Sequence, residues 1–186
     1  MNFKLKMIII FCTGIALGAI LYAYTPEFFR TANTEPPPNL ISVSTRIDTA
    51  GQPSEEQLIG LKQAGYDMVI NLAPPDALGS IENESSLVTR SGITYVNIPV
   101  DWNDPQLNDF DLFSDILDIS GHRHILVHCQ VNRRASLFTF LYRVVHEHAD
   151  ADQEYEKVTS IWSPEPHWLE FANNVMSNHQ IDFEPL

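Results

Sequence analysis

Basic residues are scarce in this chain. Eleven Lys and Arg stand against 24 Asp and Glu, and the formal net charge is −13. Such a surface repels the phosphates of nucleic acid and excludes it as a partner. Any anion site must therefore be built locally, from backbone N–H groups and a few arginines. Cysteine is scarcer still. The only two, Cys12 and Cys129, sit in segments of such different character that no disulfide between them is expected. Charged residues make up 19% and hydrophobic residues 44%, which excludes a disordered chain and leaves enough apolar side chain for a core. Internal repeats and low-complexity tracts are absent. Metal-ligand patterns are missing as well. His146 and His148 are two apart and would face different sides of a helix, and no carboxylate or cysteine completes a set with His122 and His124.

What the chain does have begins with one long apolar run. Residues 7–24 form an uncharged stretch of 18 residues, which as a helix would extend about 27 Å. Lys4 and Lys6 precede it, whereas Glu27 and a single Arg30 follow it. The positive-inside bias predicts that residues 1–25 form a single-pass signal-anchor, a transmembrane helix that puts the following domain on the periplasmic or extracytoplasmic side. A cleaved signal peptide, cut after Ala19 or Ala23, is the alternative. Cys12 would face lipid. Residues 26–39, with Pro36, Pro37 and Pro38, read as an extended tether that holds the domain off the bilayer. Residues 40–186 remain for one domain.

From Leu40 on, strand and helix patterns alternate. Residues 41–47 alternate at period two, and Gly51-Gln52-Pro53 makes a turn. Ser54 is expected to cap a helix that opens with Glu55 and Glu56 and stops at Gly65. A short strand at 67–72, a helix at 81–90 ended by Gly92, and a strand at 94–100 follow. Asn108 is placed to cap a helix running to Ser120. An apolar strand, 124–128, then runs straight into Cys129. The helix behind it, 135–148, carries Leu137, Phe138, Leu141, Val144 and Val145 on one face. Two more helices are expected at 153–162 and 166–177. Strands separated by helices in this way imply an α/β fold, a mostly parallel central sheet flanked by helices.

In such sheets ligands bind at the carboxyl ends of the strands, where the next helix presents its N-terminus. Cys129 lies at that point. Unpaired N–H groups and the partial positive charge of a helix start favour an anion, and favour thiolate over thiol. Arg133 and Arg134 add two full positive charges within a few residues. An inert buried thiol is the plainer reading of a cysteine at a strand end. The succession of strand, cysteine, paired arginines, hydroxyl and amphipathic helix argues for a nucleophile.

His128-Cys129, the intervening residues, an arginine and then Ser136 resemble the H-C-x5-R-[ST] loop of the protein tyrosine and dual-specificity phosphatases. Gly51-Gln52-Pro53 before a helix ending in Ala64-Gly65, then VINL (69–72) and GITYVNIPV (92–100), resemble the small bacterial phosphatase-like domains of the beta-lactamase hydrolase-like group. The resemblance covers residues 52–142. It implies hydrolysis of a phosphomonoester, on a phosphorylated protein or a small molecule, with no metal or organic cofactor. Cys129 would attack phosphorus, a carboxylic acid would protonate the leaving oxygen, and water would cleave the phosphocysteine. Gln130, Val131, Asn132, Arg133 and Ser136 are the implied substrate-binding residues, with the Ser136 hydroxyl bonded to the thiolate.

Two departures from the family pattern matter. The arginine position, six residues after the cysteine, holds Ala135, while Arg134 and Arg133 stand five and four residues on. Arg134 is expected to bind the phosphate, with Arg133 turned to solvent or to an acidic neighbour. The loop also lacks glycine, and Asn132 is the residue best able to take a positive φ. Asp101 is the expected general acid, with Asp104 the alternative. Trp102 could close over substrate or pack against the core. The stripe Trp162, Trp168 and Phe171 reads as core or as a docking ridge, and Glu82 and Glu84 as solvated helix residues. Two rival functions stay open. Ala135 motivates a catalytically weak phosphate-binding domain, and an arginine five residues after the cysteine also suits a rhodanese-like sulfurtransferase.

Overall fold

The computed structural model describes residues 35–183. The expected anchor, its flanking Lys4 and Lys6, Cys12 and most of the tether lie outside the described residues. Among the described residues no helix is long and apolar enough to cross a membrane.

Five strands form one sheet: β1 (Ile41–Ser42), β2 (Ile47–Ala50), β3 (Met68–Asn71), β4 (Thr94–Asn97) and β5 (Ile125–His128), in the order β1-β2-β5-β3-β4. All neighbours pair in parallel except β1 with β2. The single strand expected at 41–47 is in fact a tight reversal. Val43 and Ser44 donate their N–H groups to the carbonyl of Ile47, and the Ser44 hydroxyl accepts from the N–H groups of Arg46 and Ile47. A serine that satisfies the backbone locally competes with a continuous ladder.

Among the described residues six helices connect and cover the sheet: α1 (Glu55–Gly60), α2 (Glu84–Arg90), α3 (Leu107–Ile119), α4 (Arg133–Val145), α5 (Ala151–Thr159) and α6 (Pro166–Asn178). Ser54 caps α1 as expected, in a reciprocal capping box with Gln57. Asn108 does not cap α3, because that helix starts at Leu107 with Gln106 in the capping position. Helix α4 starts at Arg133, two residues before the expected start, and ends at Val145.

Strand alternation divides the apolar side chains between two cores. Val127 and Cys129 belong to the larger, with Ile70, Phe110, Phe113, Phe138 and Trp168 from β3 and helices α3, α4 and α6. Leu126 belongs to the smaller, with Leu58 from α1, Leu61 just after it and Val88 from α2. The one-sided face expected for α4 is too narrow. Every residue from Arg134 to Tyr142 is buried, since the helix lies between the sheet and the helices packed outside it. Leu137, Phe138 and Leu141 are fully buried there, and each contributes about 1.5–3 kcal/mol of transfer free energy.

Candidate active site

Strand β5 ends at His128 and α4 begins at Arg133, so the four residues between them cross the carboxyl edge of the sheet. Neighbouring strands hold both ends of this crossing. Cys129 donates its N–H to the carbonyl of Ala50 (3.2 Å), and the carbonyl of His128 accepts from Leu72 (2.8 Å). Asn132 takes the positive φ expected of it, 70°, as the residue before α4. Its side chain, however, faces inward and is committed to protein partners. Nδ2 donates to the carbonyl of Asn39 (2.6 Å) and to Thr49 Oγ1 (3.1 Å).

Cys129 is 1% exposed and Arg134 is 5% exposed. The two are brought together. Burial pulls the Arg134 guanidinium below its ordinary value, opposed by the adjacent Cys129 sulfur and by the Asp101 carboxylate. Arg134 Nη1 donates to Gln130 Oε1 at 3.3 Å, and its guanidinium carbon sits 5.3 Å from the centre of the Trp102 ring. Its Nε is buried with no hydrogen-bond partner. Unspent donors of this kind are costly to bury and suit an arriving anion.

Trp102, Cys129, Gln130, Val131, Arg133 and Arg134 line a cleft of about 260 Å³. Of the expected substrate-binding residues, Gln130, Val131 and Arg133 border it, and Asn132 and Ser136 do not. The Ser136 hydroxyl donates to the carbonyl of Arg133 (3.0 Å) rather than to the Cys129 sulfur. Because α4 starts at Arg133, Ser136 already lies one turn into the helix, where the carbonyl three residues back is the nearest acceptor. Arg133 is exposed, as expected, and its guanidinium rests on two tryptophans rather than on an acid. It lies 5.8 Å from the Trp102 ring centre and 5.6 Å from that of Trp162, a cation–π pairing at the cleft's rim.

The packing reading of Trp102 is the one the structure shows. It packs on Trp162 and Trp168, with ring centres 5.5 and 5.1 Å away, and it also walls the cleft. His167 Nε2 lies 2.9 Å from its carbonyl and fixes the segment to the start of α6. Trp162, Trp168 and Phe171 are core residues. Asp101 and Asp104 are both exposed. Asp101 Oδ1 accepts the N–H of Asn103 at 2.8 Å, an Asx turn. It is the carboxylate close enough to act on the charge of Arg134.

Sequence reasoning missed Glu84. It is 4% exposed, not solvated. Oε1 lies 2.8 Å from His128 Nε2, and Oε2 accepts from Gln52 Nε2 at 2.7 Å. Burial works to raise its pKa. The bond and charge of His128 outweigh that, helped by Gln52 and Tyr95, and hold the carboxyl below the ordinary range. Glu84 and Val88 are four residues apart and share a buried helix face, which is the signal that could have found it. Glu82 is exposed as expected. His124 and His146 pair with Asp48 and Asp118 at 3.0 and 3.1 Å.

No family model matches the chain, and no curated protein does. Solved structures do. The chain is similar to a candidate phosphatase of the DUF442 family from Shewanella putrefaciens CN-32, with 31% identity over 83% of this chain and 99% of that one and a TM-score of 0.73. It is also similar to Tk-PTP in its active form, at 14% identity over 75% of this chain and 97% of that one, with a TM-score of 0.64. TpbA of P. aeruginosa matches at 15% identity over 75% and 84% of the two chains, with a TM-score of 0.57. The last two likenesses concern the fold alone.

Proposed function

The chain belongs to the DUF442 family of phosphatases, and from that premise we propose that it is a cysteine-dependent enzyme of the protein tyrosine phosphatase type, which hydrolyses phosphomonoesters through a phosphocysteine at Cys129. The observation that carries the proposal is Arg134, a buried cation beside the Cys129 sulfur with its Nε unpartnered. Phosphate oxygens would take the Nε and Nη hydrogens of Arg134 in a planar two-point contact. The loop N–H groups of residues 130–134 would cradle the remaining charge. The Cys129 thiolate then forms the S–P bond while the ester oxygen leaves with a proton from Asp101. Water, deprotonated by the same carboxylate, breaks the S–P bond and releases phosphate. No step calls for a metal or an organic cofactor.

The apolar walls supplied by Trp102 and Val131 suit an aromatic ester, so phosphotyrosine is the favoured substrate. TpbA has been solved in complex with phosphotyrosine. A small phosphomonoester is the alternative. The location of the domain belongs to the same proposal. A helix over residues 7–24 would anchor it to the membrane, with the catalytic domain outside the cytoplasm.

Two observations favour a second reading. Ser136 is turned away from the sulfur, and Ala135 stands at the family arginine position, as in a phosphate-binding domain with little turnover. An assay of the protein and of Cys129→Ser against a panel of phosphoesters, with orthovanadate binding measured alongside, separates the two. Hydrolysis lost in Cys129→Ser with vanadate binding kept supports the enzyme. Vanadate binding without turnover on any ester supports the binding domain. Sulfur transfer from thiosulfate would overturn both.

A further inference from the structure

We propose that residues 35–39 are part of the catalytic apparatus, with Asn39 a positioning residue that fixes the Cys129 loop in its anion-receiving shape. What the loop does rests on the phosphatase reading above. What holds the loop is a set of contacts from the segment that the sequence presents as a mere spacer.

Asn39 and the loop are bonded in both directions. Asn39 Nδ2 donates to the carbonyl of Val131 at 3.0 Å, and the carbonyl of Asn39 accepts from Asn132 Nδ2 at 2.6 Å. Both asparagines have positive φ, 52° and 70°. Gly51 is the layer between segment and loop. Its N–H donates to the carbonyl of Pro38 at 2.6 Å, it forms a bridge with Val131, and the next residue, Gln52, donates its N–H to the carbonyl of Gln130 at 3.0 Å. A Cβ on Gly51 would stand 3.0 Å from the Gln130 oxygen and 3.1 Å from the Pro38 oxygen, so only glycine admits this stacking without displacement. At the far end Gln57 Nε2 donates to the carbonyl of Glu35 at 2.5 Å, and Pro37 is buried.

The loop needs such outside support. It contains no glycine, and its turn depends on Asn132 in a left-handed conformation that L-residues keep only where the surroundings dictate it. Asn132 is fully buried, and both of its side-chain donor contacts run to groups outside the loop, Asn39 and Thr49. Strand β2 supplies one of these and the segment supplies the other. Asn39 is itself exposed, so its loss opens no core. Its effect must pass through the loop.

The test uses the full-length chain with Asn39→Asp and Asn132→Gly. Aspartate keeps the size of Asn39 but sets a carboxylate against the Val131 carbonyl. Glycine keeps the left-handed backbone accessible and removes the two side-chain bonds. Three quantities are measured: the rate of iodoacetamide alkylation read on the Cys129 peptide, the affinity for orthovanadate, and Tm. Both variants are expected to slow alkylation and weaken vanadate binding by about tenfold or more, with the Tm of Asn39→Asp unchanged. Wild-type alkylation and vanadate affinity in Asn39→Asp would overturn the proposal. So would losses that appear only in step with a lowered Tm, since these would assign the segment to stability alone. Alkylation does not require turnover. A protein that hydrolyses no phosphoester would defeat the phosphatase reading and leave this test intact.

Discussion

His128 Nε2 lies 2.8 Å from Oε1 of Glu84, and both side chains are shut off from solvent. Strand alternation turns the next residue, Cys129, to the opposite face of the sheet. The carboxylate therefore works on the site from behind. It holds His128 at the end of β5 and also the side chain of Gln52, whose backbone N–H supports the carbonyl of Gln130.

Removing this carboxylate strands the buried His128 and the half-buried Gln52. Glu84→Ala is expected to cost about 1–3 kcal/mol of stability, the cost of an unsatisfied buried polar group, read by urea unfolding at pH 7. The acid dependence follows from the sign of the Glu84 shift. Its folded pKa lies below the unfolded value of 4.5. The stabilisation is therefore complete above that value and is lost as pH falls through the folded one. Wild-type protein should lose stability more steeply than Glu84→Gln below pH 4.5. Parallel acid slopes would show that Glu84 is not the carboxylate responsible.

The paired arginines should respond differently to the same change. Arg134→Lys is expected to lower kcat/KM about 100-fold or more, because an ammonium cannot make the planar contact. Arg133→Lys, at the exposed rim over Trp102 and Trp162, should stay close to wild type. Equal losses in steady-state assays would remove Arg134 from its assigned role. Ala135→Arg, which would restore the family spacing, should fail to fold. Ala135 is fully buried in the larger core, and an arginine there would bury an unpaired charge.

For the general acid, the leaving group is the probe. Asp101→Asn should slow hydrolysis of esters with poor leaving groups by ~100- to 10,000-fold and affect activated aryl phosphates much less. If Asp104→Asn shows that pattern and Asp101→Asn does not, the assignment to Asp101 is wrong.

The proposed location is open to a direct check. A reporter fused after Leu186 that works only outside the cytoplasm should be active, given Lys4 and Lys6 ahead of the apolar run. Activity from a cytoplasm-dependent reporter instead would reverse the topology.

The sequence by itself determined the order of strands and helices from α1 onward and the loop in which the chemistry is proposed to lie. Those features obey local rules. Ser54 caps through a residue three positions away, and the strand that runs into Cys129 carries its apolar character in consecutive residues. Asn132 was legible for the same reason, since a left-handed turn selects among the few residues that tolerate it. The tertiary structure alone decided the rest. The start of α4 at Arg133 turned the Ser136 hydroxyl to the carbonyl of Arg133. Glu84 reads as a solvated residue until His128, 44 positions away, is folded against it. Asn39 reads as the end of a spacer until Asn132, 93 positions away, donates to it. A hydrogen bond across such a span leaves no period or cap in the local sequence, because its partner is chosen by the packing of the sheet.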